Sequence, residues 1–122
     1  MEAIQVATNV YLLEGAIYTG VLVSGDKALL FDCCDTVTAE RLGELGVRTV
    51  EMILSTQHRR PNVAGAYAFV EQGAQLLVPM GERHLFEDVE TYWGDPKNRW
   101  HIYHHQPQQV LARPIPVTRA VR

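Results

Sequence analysis

The feature that most constrains this chain is a change of hydrophobic period about a third of the way along it. Ile4 to Ala7, Val10 to Leu13, Gly20 to Val23 and Ala28 to Phe31 are short apolar runs bounded by turn residues, and they predict four strands of a meander. Gly25-Asp26-Lys27 supplies a tight connection between the last two. Beyond Phe31 the spacing lengthens. Thr36 or Thr38 can cap a helix in which Val37, Leu42 and Leu45 recur at helical intervals until Gly46 ends it, and Val47 to Leu54 is a strand again.

The alternation continues. Pro61 fits the first turn of a helix whose Val63, Tyr67 and Val70 share one face up to Gly73, and Gln75 to Val78 predicts another strand. A further helix is predicted from about Gly81 to Tyr92, with Leu85, Val89 and Tyr92 or Trp93 on its apolar stripe, broken by Gly94-Asp95-Pro96. Residues 107–122 are Pro-rich and predict an extended tail or linker. A meander followed by strand, helix, strand and helix predicts an α/β fold, one mixed β-sheet with helices on one face. With 122 residues, 47% of them hydrophobic, the chain 1–122 is expected to form a single domain with a modest core.

Charge excludes some partners. The net charge is −3 and both signs are interspersed, so neither nucleic acid nor an anionic membrane is expected to bind. No apolar run approaches the roughly 20 residues that span a bilayer, and MEAIQVATN lacks the pattern of a secretory leader. A cytoplasmic location is the expectation. Cys33 and Cys34 are neighbours and cannot close an ordinary loop, so two reduced thiols are expected. The sequence holds no glycine-rich phosphate loop, no nucleophile elbow and no Cys-x-x-Cys.

The candidate site is the turn STQHRRPNVAG, residues 55–65, where the strand ending at Leu54 delivers polar side chains to a surface. Together with NVYLLEG in the meander and ALLFD ending at Asp32, it resembles the first half of the metallo-β-lactamase (MBL) fold, over about Ile4 to Pro79. That resemblance implies half of an αββα sandwich, with the second half missing from a truncated domain. In the superfamily this turn carries a Thr-His-x-His-x-Asp-His-x-Gly-Gly pattern that holds one or two Zn²⁺ ions, which activate a water for hydrolysis.

Against that pattern Thr56 and Gly65 match, but Gln57 stands at the first His, Arg59 at the second, Pro61 at the Asp and Asn62 at the last His. A guanidinium has no lone pair to give and opposes a dication. No metal is therefore expected, zinc entering only if the family's activity is retained, and no catalytic residue is assigned. The leading reading is a metal-free, inactive half domain, a remnant or a binding or assembly module. One alternative is an MBL-type metal-dependent hydrolase completed by a second half. The other is a small-anion site at His58, Arg59 and Arg60 beside the helix start.

His58 falls on a variable position of the pattern. Asp32, which corresponds to the family's buried aspartate, is expected to fix the turn's geometry or to pair with Arg59 or Arg60. His101, His104 and His105 form a dense imidazole cluster. On a strand His101 and His105 lie roughly 13 Å apart, too far for one ion. Glu82 and His84 are expected on a solvated helix surface. Half a sandwich also leaves one sheet face apolar, so a homo-oligomer or a second-half partner is expected to cover it.

Overall fold

The computed structural model describes residues 3–88 and 114–122. Strands β1 (Ala3–Ala7), β2 (Val10–Leu13), β3 (Thr19–Ser24) and β4 (Lys27–Phe31) form the antiparallel meander. Ser24 pairs with Lys27 across the two-residue turn Gly25-Asp26, whose first residue has a φ of +63° that only glycine adopts cheaply. Helix α1 (Ala39–Gly43) leads into β5 (Thr49–Leu54). Thr38 is its N-cap, with the hydroxyl accepting from the Arg41 N–H at 3.2 Å.

From β4 onward the strands run parallel. The order is β1-β2-β3-β4-β5-β6-β7, with β6 at Gln75–Pro79 and β7 at Arg119–Val121. This is the mixed sheet that the sequence predicts. β1, β3, β4 and β6 run slightly longer than their apolar runs, β2 matches its run, and β5 starts at Thr49 rather than Val47.

The core lies on one face. Val21, Leu30, Ile53, Leu76 and Val78 point from the sheet into a cluster closed by Val37, Leu42, Val63, Phe69, Leu85 and Phe86, so the helices pack on a single side. The helix predicted after Pro61 is two shorter pieces, α2 (Arg60–Val63) and α3 (Ala66–Glu71). The break has a cause: the Gly65 N–H bonds the Cys33 carbonyl at 2.9 Å instead of continuing the helix. Breaking the helix resets its phase, so the buried residues are Val63, Ala66 and Phe69 while Tyr67 and Val70 are only partly covered.

Helix α4 (Arg83–Glu87) buries Leu85 and Phe86. The predicted continuation through Val89 to Tyr92, and His101, His104 and His105, lie outside the described residues. The part of the tail that is described, residues 114–122, joins the sheet through Arg119–Val121. Leu77, Val78 and Pro79 pair with Arg119, Ala120 and Val121, while Ile115 and Val117 are buried. A clamp from α4 fixes it. Glu87 Oε2 accepts from the Val117 N–H at 3.0 Å, Arg83 Nη2 donates to the Val117 carbonyl at 3.2 Å, and Arg83 Nε donates to Glu87 Oε1 at 2.8 Å. The bond from Arg83 holds the Glu87 carboxyl below the usual range, so the clamp is complete at neutral pH and loosens as acid protonates it.

Candidate functional site

Three chain segments meet at the carboxyl ends of β4, β5 and β6. Asp32 follows β4 directly, the turn 55–59 follows β5, and Glu82 stands at the start of α4 after β6. The backbone joins them before any side chain does. The Asp32 N–H donates to the Leu54 carbonyl at 2.9 Å, the Ser55 N–H to the Leu77 carbonyl at 2.9 Å, and the Cys33 N–H to the Asn62 carbonyl at 2.8 Å.

Asp32 takes a left-handed backbone at φ +63°. That conformation turns its side chain toward the β5 turn. Oδ1 accepts from the Thr56 N–H at 2.7 Å and from the Thr56 hydroxyl at 3.0 Å, and Oδ2 lies 2.8 Å from the same hydroxyl. Both carboxylate oxygens thus meet Thr56. The pairing with Arg59 or Arg60 proposed from sequence does not form; Thr56 reaches the carboxylate first because its N–H and hydroxyl lie directly across the strand ends.

The turn closes on itself as well. Ser55 is buried and its hydroxyl donates to the Gln57 carbonyl at 2.9 Å. His58 binds across to the next loop, its N–H donating to Glu82 Oε1 at 3.2 Å and its Nδ1 lying 2.8 Å from the same oxygen. Glu82 is therefore no solvated surface residue but the anchor of the histidine. The two are 24 positions apart, and no local pattern announces the contact. Arg59 is exposed, Gln57, Arg60 and Pro61 are half-buried, and Asn62 is buried.

Burial shapes the neighbouring thiols. Cys33 and Cys34 are both fully enclosed, and loss of solvent, with the adjacent Cys34 and Asp32 adding negative charge, pushes the Cys33 thiol up to about 12. A protonated, enclosed thiol neither reacts nor ligates a metal. In the native protein a disulfide-exchange reagent at mildly alkaline pH is expected to label neither cysteine, and to label both once denaturant is added. Fast labelling of the native chain would show that this loop opens.

The residues at the motif positions do not fit zinc. Zinc sites use imidazole, thiolate or carboxylate, whereas Gln57 and Asn62 offer amide oxygens, Pro61 offers nothing and Arg59 brings a positive charge. No group of three or more His, Cys, Asp or Glu among the described residues is placed to hold a metal ion. The backbone of the basic turn offers few donors to an anion. Helix α2 is a single turn, Pro61 has no N–H, and the Asn62 N–H already donates to the Arg59 carbonyl at 2.9 Å.

No protein-family model and no curated protein sequence matches the chain. Solved structures do. The subclass B3 metallo-β-lactamase BJP-1 of Bradyrhizobium japonicum superposes with a TM-score of 0.75 at 22% identity, over 100% of this chain and 46% of that one. FEZ-1 from Legionella gormanii gives 0.74 at 12% identity, over 99% and 46%. A Cronobacter sakazakii metallo-β-lactamase with a HARLDQ motif gives 0.68 at 12%, over 100% and 48%. The fold is that of a metallo-β-lactamase, and this chain corresponds to its N-terminal half. It spans about half the length of the structures it matches.

Proposed function

We propose that this chain is a non-hydrolytic half of a metallo-β-lactamase-type domain, working without metal as a binding or assembly module. One observation carries the reading. The parts of the turn that make its shape are in place, because Asp32 holds Thr56 and Gly65 sits against the Cys33–Cys34 backbone, while the four positions that would hold metal carry Gln57, Arg59, Pro61 and Asn62. A frame kept without its ligands suits a role in shape rather than in hydrolysis.

Zinc decides it. Purified protein incubated with excess Zn²⁺ and then dialysed is expected to retain far less than one equivalent by elemental analysis, and to hydrolyse no β-lactam above the buffer rate. One tightly held equivalent, or turnover that depends on added zinc, overturns the reading.

A specific observation favours a second reading, a hydrolase completed by another half. Aligned on HARLDQ, residues 57–62 read QHRRPN, so an arginine and an amide occupy the third and sixth places in both. An arginine at that place is thus compatible with a protein called a metallo-β-lactamase. The His and Asp of that motif have no counterpart in Gln57 and Pro61, so the missing donors would all have to come from elsewhere. Zinc bound only when a second-half polypeptide is added would support this reading.

A further inference from the structure

The sheet face opposite the helices has no cover among the described residues. Through the strand registers, Ile4, Leu12, Gly20, Phe31, Leu54 and Leu77 form one row across neighbouring strands. Leu22, Leu29 and Met52 form a second row one pleat away. The face also has relief. The Phe31 ring lies across Gly20, where an added Cβ would come within 3.3 Å of Cδ2, and stands 43% exposed. Beside it is a hollow of about 210 Å³ lined by Leu22, Leu29 and Met52, with the Lys27–Glu51 ion pair at its rim.

We propose that a second copy of this chain packs on this face about a two-fold axis, each copy's Phe31 entering the hollow of the other. A knob and a hollow on one face, a pleat apart, are what an isologous contact requires, since residue i must meet j and j must meet i. Charge permits it. The Lys27 and Glu51 side chains neutralise each other at 3.3 Å, and Arg119 lies on the edge strand, so the centre of the contact buries no unpaired charge.

Seven strands at the usual spacing and rise present roughly 450 Å² per copy, so two copies bury about 900 Å² before side-chain relief is added, the size of a small, weaker contact just under the ~1,000 Å² of a stable interface. The aligned part covers 46% of each of two matched structures, so a second copy supplies an amount of chain comparable to the part left unaligned. The proposal goes beyond the functional reading above and is independent of the motif, since tight zinc would sink that reading and leave this one standing.

Sedimentation velocity and light scattering on the metal-free chain test it, with Phe31→Asp and Leu22→Glu as variants of two half-exposed positions. The expected result is a discrete dimer at micromolar concentration, weakened at least about thirtyfold by Phe31→Asp, as for loss of one buried aromatic anchor. The wild type gives a second readout, because hydrophobic-dye binding per chain should fall as concentration rises through the dimer range. A monomer at high micromolar concentration means that another segment or partner covers the face. That result, open-ended aggregation, or a dimer that survives both substitutions in folded protein each overturns the proposal.

Discussion

Asp32→Ala is expected to lower the unfolding free energy by about 3–4 kcal/mol in a urea titration, the sum of a lost charged acceptor and a strained backbone. The acceptor is the larger part. Asp32 takes both the N–H and the hydroxyl of Thr56, at 2.7 and 2.8 Å for the shortest bonds, and it is buried, so no water replaces it at little cost. Strain contributes the rest, because alanine at φ +63° costs roughly 1 kcal/mol that glycine avoids. Two further variants separate these contributions. Asp32→Gly should recover about 1 kcal/mol relative to alanine, and Asp32→Asn, which tolerates the left-handed region and keeps one acceptor oxygen, should recover more. If alanine costs under about 1 kcal/mol, the carboxylate is not what holds the turn. If glycine is no better than alanine, the backbone at Asp32 is not strained.

That the turn depends on Asp32 explains what was legible in the sequence. The meander, the return to β5 and β6, and the side covered by helices follow from hydrophobic period, which is local and survives in a single sequence. The place of the site follows too, because a polar turn after a buried strand is a local signal. The links across the turn are not local. Glu82 reaches His58 from 24 residues away, and Glu87 and Arg83 clamp Val117 from 30 and 34 residues away, with nothing in any one segment to name its partner. Strand β7 is hidden for the same reason. Arg119–Val121 carries too few residues to show an alternation, and its pairing with β6 is set by burial of Ile115 and Val117. The split between α2 and α3 escapes the apolar pattern because a backbone contact causes it, and Gly65 is the only trace of it in the sequence.

Gly65→Ala tests that contact, and it is expected to cost on the order of 3 kcal/mol or more, at the upper end for overpacking, because the neighbour is backbone. The conformation itself is not the obstacle: φ at Gly65 is −84°, open to any residue. Space is. A Cβ there would overlap the Cys34 carbonyl oxygen, come within 2.9 Å of its carbon and 3.2 Å of Cys33 Sγ. Neither segment can yield, because the Cys33 N–H to the Asn62 carbonyl at 2.8 Å and the Gly65 N–H to the Cys33 carbonyl at 2.9 Å tie them together. An added methyl must break that pair of bonds or push the β4 loop outward, which would also draw Asp32 away from Thr56. Amide exchange should therefore quicken at Cys33, Gly65 and Thr56 together. Gly43→Ala is the control, since a Cβ there meets nothing within 4 Å and sits in α1, where alanine is the better helix former. It should be neutral or stabilising. Equal stability of the two variants would mean that the turn can open at Gly65, and that the glycine shared with the metallo-β-lactamase pattern is not held there by packing.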